Sequence, residues 1–457
     1  GGVHPTLRPE ECLNYVDMVC MGEGEESVVE LAGEIEKELT LHSAQKVEGQ
    51  PLSPTKNRDI FSIQGFWFKD NGQIIKNPNR RLVPNLDSIP FQDYDLEGHY
   101  ILHRNRIHEM TLELLDFYLE GNYWAFPTRG CPYACTYCIN EVFNDMFADP
   151  KELVRKRSID DVIKELLEVR KKMPSINQIT FDDDAFMLYS TQQIKEFSEK
   201  YKKYIGLPLE IGGATPKTLT REKLLPLIDG GLTSVRMGIE SGAERTKKAY
   251  KRKYTNATVE KAANLLHEFR EEIPLPRYDM IINNPLENDE EVVETLMFLT
   301  KIPVPYEMNL FSLSFYPGTE LYDIAKQEGI INDDLNDVYR KSYNLFADGT
   351  SGKLLNEPYL SNLFYLLYVY AKNGRSISSK QMRSLVSRKS NPVKSRLLYF
   401  VMKNKASYFL KKETVTQLWA NSMNGYRQKA ENKHPGSGIT VSERSVKSSG
   451  PVGYRSD

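Results

Sequence analysis

Thr128-Arg-Gly-Cys131-Pro-Tyr-Ala-Cys135-Thr-Tyr-Cys138 is the stretch on which the reading of this chain turns. Three of the five cysteines lie in the eight residues from Cys131 to Cys138. Five is an odd number and too few for a disulfide framework in a chain of 457 residues. Clustered thiols point instead to metal. Thiolates are the ligands of iron–sulfur clusters, and three on one loop leave the fourth iron of a cubane without a protein ligand. Such an iron is open to chelation by a small molecule. Zinc also takes thiolates, but a structural zinc site takes four ligands. Cys12 and Cys20 are distant in sequence, and no local His completes a set.

Outward from the cysteines, strand and helix patterns alternate. Tyr123–Thr128 reads as a first strand. Ser158 caps a helix whose apolar residues Ile159, Val162, Ile163, Leu166 and Leu167 recur at helical spacing. Ile176–Phe181 is the second strand, followed by a helix marked by Ile194, Phe197 and Tyr201. Leu209–Ile211 is the third, followed by a helix from a Thr220 cap to Gly230-Gly231. Ser234–Glu240, Arg277–Ile282 and Met308–Phe315 are the remaining strands, with helices over Thr258–Phe269 and Asp289–Thr300 between them. Six β-α units predict an α/β fold with a parallel sheet, open or curled into a partial barrel. Ligands bind such sheets at the carboxyl ends of the strands. The unusual residues sit there: the cysteines after strand one, Asp182-Asp183-Asp184 after strand two, Glu240-Ser241-Gly242 after strand four and Asn283-Asn284-Pro285 after strand five.

The CxxxCxxC spacing inside Thr128–Cys138 resembles the radical S-adenosylmethionine (SAM) superfamily, over about residues 123–320. The resemblance implies a partial (βα)6 TIM-like barrel and a [4Fe–4S] cluster on Cys131, Cys135 and Cys138. In the family the open iron chelates SAM, and an electron delivered through the cluster breaks a C–S bond to give a 5′-deoxyadenosyl radical. It also implies SAM contacts from Tyr137, beside the adenine, and from one of the three aspartates, with Asp183 the nominal choice. Glu240 and Ser241, in Gly238-Ile-Glu-Ser-Gly242, are expected at the ribose, where a carboxylate can accept two hydroxyls. Arg252 matches the Arg that pairs with the methionine carboxylate, a task suited to a planar fork. Asp279 is a further ribose candidate. One departure stands out: Gly212-Gly213 replaces the charged side chain that several families carry after strand three.

The order Ile-Thr-Phe-Asp-Asp-Asp-Ala-Phe and the segment Tyr316-Pro-Gly-Thr319 are similar to the cobalamin-associated subgroup. So are Gly1-Gly2-Val-His-Pro-Thr and Val16-Asp-Met-Val-Cys-Met-Gly-Glu-Gly-Glu25, which look like the end of a Rossmann-like cobalamin-binding domain. Gly1 and Gly2 are then candidate cobalamin contacts, because paired glycines let a cofactor approach the backbone. The chain opens on Gly rather than Met, so the rest of that domain is expected upstream.

The resulting domain expectation is a cobalamin-domain remnant over 1–40 and a linker with a β-hairpin over 41–121. The radical SAM barrel over 122–320, a helical region over 321–430 and a disordered tail over 431–457 complete it. The hairpin rests on Asp70-Asn71-Gly72, since Asn-Gly supplies the positive φ a tight turn needs. Tyr359–Tyr370 is apolar nearly all round and is expected to be buried, covering the open end of the barrel.

Charge is uneven. Residues 351–457 hold 19 Lys+Arg against 5 Asp+Glu, while residues 1–350 hold 41 against 57. A solvated tail accounts for this, and transient contact of the basic region with an anionic membrane is the alternative. No apolar run is long enough to span a bilayer, and a cytoplasmic location is expected.

The function expected is a radical SAM enzyme acting on a small-molecule or biosynthetic intermediate, with SAM, the cluster and cobalamin as cofactors. Methyl transfer to an unactivated carbon is the first reaction, with a flavodoxin- or ferredoxin-type electron donor. The alternatives are a cyclase or oxidoreductase without cobalt, an RNA-modifying enzyme, and a zinc-containing nucleic-acid-binding protein. No second cysteine triad or RNA module supports a nucleic-acid partner.

Overall fold

A computed structural model describes residues 2–44, 60–147, 152–340 and 359–387. Six parallel strands form one sheet in strict chain order. They are β1 (Asn122–Ala125), β2 (Gln178–Phe181), β3 (Leu209–Ala214), β4 (Leu232–Glu240), β5 (Arg277–Ile282) and β6 (Glu307–Ser312). The intervening helices are α1 (Ile159–Lys172), α2 (Thr191–Tyr204), α3 (Arg221–Gly230), α4 (Asn256–Glu268) and α5 (Asp289–Leu299), with α6 (Glu320–Gln327) after β6. This is the half-barrel that the sequence predicts.

Local chemistry sets most boundaries. Ser158 accepts from the Asp161 N–H to start α1, and Ser190 and Asn288 form capping boxes with Gln193 and Glu291 to start α2 and α5. Gly231, left-handed at φ 116°, ends α3. Thr220 holds the cap position of α3, but its side chain makes no cap hydrogen bond to the backbone.

Alternation along the strands divides the two faces. Ile179, Phe181, Ile211, Val235, Met237, Tyr278 and Met280 are buried, as are Leu166, Phe197, Leu227, Ala263 and Leu296 of the helices. The residues between them point the other way and are polar. Thr180 donates to Asn122, and Gln178 reaches Glu210. Arg277 of β5 donates to Glu210 of β3 at 2.6 Å, and Arg236 of β4 donates to Asp182, just past β2, at 3.0 Å. Both pairs skip a strand, so these charged side chains share one face of the sheet. Barrel interiors are commonly filled with bulky branched side chains; this one is lined with charge.

Several expectations shift. The hairpin of Phe66–Asp70 and Gln73–Lys76 pairs with Met18–Cys20 in a three-stranded antiparallel sheet. It therefore belongs with the N-terminal segment rather than with a linker beginning at 41. A second hairpin, Tyr100–His103 with Arg106–Glu109, and a helix at Leu112–Leu119 also fall inside the expected linker. The hairpin turns on Arg104 and Asn105, both at positive φ, a pair lacking the Gly that marks such turns. The helix Tyr359–Lys372 buries Leu360, Leu363, Phe364 and Leu367 as expected. It packs on α5 and the edge strand β6, with Lys372 2.5 Å from Glu307 at the amino end of β6. It covers the sheet's edge rather than its open mouth, because one-sided chain connectivity places it beside the last strand. Gly1, the part of the expected helical region beyond residue 387 and the tail 431–457 lie outside the described residues. Among the described residues no helix is long and apolar enough to cross a membrane.

Candidate active site

The cysteine loop leaves β1, passes the two-residue strand Thr128–Arg129, and ends where Cys138 caps the helix Ile139–Met146. Gly130 is required by a close crossing. It has φ 85°, and a Cβ there would lie 1.8 Å from the Leu153 carbonyl oxygen. Asn144 donates to the Cys131 carbonyl at 3.0 Å, and the Cys138 N–H donates to the Cys135 carbonyl at 2.9 Å. Thr136 ties the loop to Ala249, and Leu321 of α6 donates back to Thr136. The three thiols are free.

Burial, with Asp184 and the neighbouring thiols, pushes Cys131 up to about 12 and Cys138 up to about 11. A bound cation inverts that balance and takes the thiolate form. Among the described residues no three His, Cys, Asp or Glu side chains converge on a single ion. The thiolates of a cubane attach to separate irons and so stand wider apart than the ligands of one ion. Three thiols on one loop are the donor set of a cubane with one open iron, whereas a structural zinc site takes four ligands.

Arg252 faces the cysteines. Its Nη1 is 3.4 Å from Cys135 Sγ, its Nη2 donates to Gly238 O at 3.2 Å and to Glu240 at 3.3 Å, and its Nε donates to Tyr254 at 2.8 Å. Gly238 makes this possible: a Cβ there would meet Glu240 Oε1 at 2.5 Å and Arg252 Nη2 at 2.8 Å. Glu240 is buried at positive φ. Burial pushes its carboxyl up to about 7 against the opposing pull of Arg252. Tyr137 hydrogen-bonds Glu240 and packs edge-on against Tyr250, with ring centroids 5.0 Å apart. Cys135, Tyr137, Glu240 and Arg252, spread over more than a hundred residues of sequence, therefore meet at one end of the sheet.

Residues 126–299 match the model of the Radical SAM superfamily. The match spans the strand-and-helix units of the barrel from the cysteine loop to α5, so this part of the chain is a radical SAM domain. An uncharacterized methyltransferase of Pyrococcus horikoshii is 27% identical over 382 residues, covering 80% of this chain and 72% of the relative. Among solved structures, the cobalamin-dependent SAM radical enzyme OxsB, with aqua-cobalamin and SAM bound, superposes with a TM-score of 0.55 at 16% identity. That match covers 97% of this chain and 68% of OxsB. The radical SAM methyltransferase TsrM from Kitasatospora setae, with tryptophan substrate and a SAM analog bound, gives 0.50 at 17% identity over 72% of this chain. The chain spans 57% of TsrM. At these identities the two structures speak for the fold.

The structure gives the other expected radical SAM site residues different work. Asp183 is buried and fully engaged: it accepts from Thr128 N–H and Thr128 Oγ1, both at 2.6 Å, and from Ala185 N–H at 2.9 Å. This ties the end of β2 to the cysteine loop and places hydrogen bonds on both oxygens of the carboxylate. Asp182 pairs with Arg236, while Asp184 accepts from Asn140 and lies near the cysteines. Ser241 is also turned away; its hydroxyl meets Thr295 at 3.0 Å and accepts from Ala243 N–H at 3.1 Å. Asp279 accepts from Arg236 at 2.9 Å and from Asn309 at 2.7 Å, inside the barrel.

The glycine pair after β3 has a structural cause. Gly212 leaves room beside the Asp182 carboxylate that pairs with Arg236 across β3; a Cβ there would crowd Asp182 Oδ1 at 3.2 Å. Gly213, at φ 63°, passes so close to the aspartate loop that a Cβ would stand 2.2 Å from Asp183 O. Sequence reasoning overlooked Thr128, Arg236 and Tyr254. Only Arg236 carried a usable signal, as a lone charge alternating with buried residues in a strand.

A cavity of about 390 Å³ lies between the N-terminal segment and the cysteine loop, bounded by Gly2, Glu23, Phe126, Arg129, Asn140 and Asp182 among others. Gly2, at φ 100°, has open space where a Cβ would stand.

Proposed function

We propose that this chain is the catalytic core of a radical SAM enzyme that transfers a methyl group to an unactivated carbon of a small molecule. Cys131, Cys135 and Cys138 hold the [4Fe–4S] cluster, Arg252 and Glu240 hold SAM, and the N-terminal segment forms part of a cobalamin-binding domain. The observation that carries this is the convergence of Arg252 on both Cys135 and Glu240, with Arg252 Nη1 3.4 Å from the thiol and Nη2 3.3 Å from the carboxylate.

When bound, the cluster and SAM supply a one-electron cleavage of a C–S bond and a carbon radical, and cobalamin supplies the methyl group. The chain's own residues do the positioning. Arg252, held by Gly238 O and Tyr254, presents a fixed guanidinium edge to a carboxylate. Glu240, with its carboxyl near neutrality, can accept or donate at a ribose diol. Tyr137 and Tyr250 wall the site from water. Gly2 and the cavity beside it offer the open backbone a corrin edge needs, and Gly1 extends that edge in sequence. Tyr137, which hydrogen-bonds Glu240, completes the proposed SAM contacts. The electron comes from a small flavodoxin- or ferredoxin-type donor, and the site is expected to work in the cytoplasm.

Anaerobic reconstitution tests the core of this. The protein should take up about four irons and release 5′-deoxyadenosine from SAM on reduction with dithionite. Protein that binds no iron, or binds one zinc without sulfide, overturns it. Retention of hydroxocobalamin tests the methyl-transfer half. Its absence from a chain that still cleaves SAM would favour cyclisation or oxidation without cobalt.

A further inference from the structure

Arg129 and Arg155 stand directly opposite each other in a two-residue antiparallel pairing. Like charges so placed repel. Glu23 lies between them. Its Oε2 accepts from Arg155 Nη1 at 2.7 Å and from Val83 N–H at 2.8 Å, and its Oε1 is 3.2 Å from Arg129 Nη1. Glu25 takes the other edge of Arg129 at 2.5 Å. Burial pushes Glu23 up, but Arg155, Val83 N–H and Arg129 outweigh it and hold the carboxyl below its usual range. Both glutamates come from Gly22-Glu23-Gly24-Glu25, in the N-terminal segment and about a hundred residues before the arginine they hold.

The clamp has little slack. Arg155 is more than nine-tenths buried. Between Arg129 and Cys131 stands only Gly130, pinned at positive φ against Leu153. A displacement of the Arg129 backbone is therefore passed to the first cysteine. The clamp also forms one wall of the 390 Å³ cavity, which holds Glu23, Arg129, Gly130 and Arg155 in its lining.

We propose that Glu23 and Glu25 are positioning residues for the cluster, holding the Cys131 loop through Arg129 and Arg155 so that the N-terminal segment is a working part of the SAM-cleaving site. This rests on the radical SAM reading above. A set of ion pairs that served stability alone would change folding and nothing else.

The test uses the full chain, reconstituted anaerobically, as wild type, Glu23→Gln with Glu25→Gln, Arg129→Gln, the three changes together, and the milder Arg129→Lys. Iron and sulfide content, the electron paramagnetic resonance spectrum of the dithionite-reduced cluster with and without SAM, and the rate of 5′-deoxyadenosine release are read. Iron uptake is expected to stay within about twofold of wild type while release falls roughly tenfold, because small misplacements cost rate steeply. The change that SAM induces in the spectrum should shrink. The triple variant should be no worse than Arg129→Gln, since coupled residues are not additive. Release that merely follows the folded fraction, an unchanged SAM-induced spectrum, or additive losses would overturn the proposal. A wild type that takes up no iron would sink the underlying reading before any variant is made.

Discussion

Replacing Asp183 by Asn separates a ligand from a strut. The carboxylate accepts from Thr128 N–H on Oδ2 and from Thr128 Oγ1 and Ala185 N–H on Oδ1, at 2.6, 2.6 and 2.9 Å, with the Phe186 N–H as a further donor. An amide keeps one oxygen. Placed at the Oδ1 position, it retains two of these bonds and turns its NH2 toward the Thr128 N–H. Leaving a buried donor unmet costs about 1–3 kcal/mol. The two retained bonds lose their charge assistance, a further cost of about 1 kcal/mol. Relief of a buried charge offsets part of this, since burial already holds the Asp183 carboxyl above its usual range. The net is a destabilisation of about 2 kcal/mol, a fall in Tm of about 2–3 °C for a cooperative unit of this size.

The assay is anaerobic thermal unfolding of the protein without its cluster, followed by iron uptake and SAM binding after reconstitution. Tm and iron uptake should fall together, because the bond ties the cysteine loop to the end of β2. SAM affinity of the molecules that do hold a cluster should stay close to wild type. An unchanged Tm with SAM affinity lowered tenfold would refute the reasoning and make Asp183 the ligand residue that sequence resemblance implies.

Gly213→Ala should destabilise by about 3 kcal/mol, combining a left-handed backbone with a Cβ driven into a carbonyl; a denaturation midpoint equal to wild type would remove the close approach to Asp183. Arg252→Lys keeps the charge but cannot reach Cys135, Glu240, Gly238 and Tyr254 at once, so SAM affinity should fall by about tenfold with iron content unchanged. Loss of iron in proportion would instead make Arg252 a prop for the cluster. Glu240 binds its proton more tightly in the folded protein, at about 7, than at its ordinary value of 4.5. Its contribution to stability is therefore fully present below 4.5 and declines as pH rises toward about 7. Glu240→Gln should flatten that part of a urea-midpoint profile, leaving the similar slope due to Glu287, which burial also raises to about 7. A profile unchanged by the substitution would contradict the burial of an ionisable Glu240.

Much of the architecture was legible because it rests on short-range signals. Apolar spacing of 3.6 or 2, the cap at Ser158, and Gly231 after α3 are local, and such signals located all six strands within a few residues. The hairpin at Arg104-Asn105 and the helix Leu112–Leu119 were not legible, because the first lacks turn glycines and the second buries no residue. The mismatch at Tyr359–Lys372 has another origin: apolarity announces burial but not the surface that supplies it.

The cysteine spacing, the βα order and the placement of Glu240 at a strand end follow from the linear chain, since each depends on neighbours in sequence or on strand direction alone; Arg252 came from the family resemblance. What the tertiary structure decided is which polar side chains remain available. Asp183 and Ser241 sit at the expected positions but spend their oxygens on Thr128, Ala185, Ala243 and Thr295. Gly212-Gly213 is where charge was missing from the pattern, and it proves to be the gap across which Asp182 meets Arg236. A hydrogen-bonding group has a fixed number of lone pairs and protons, and only the folded chain shows who has taken them.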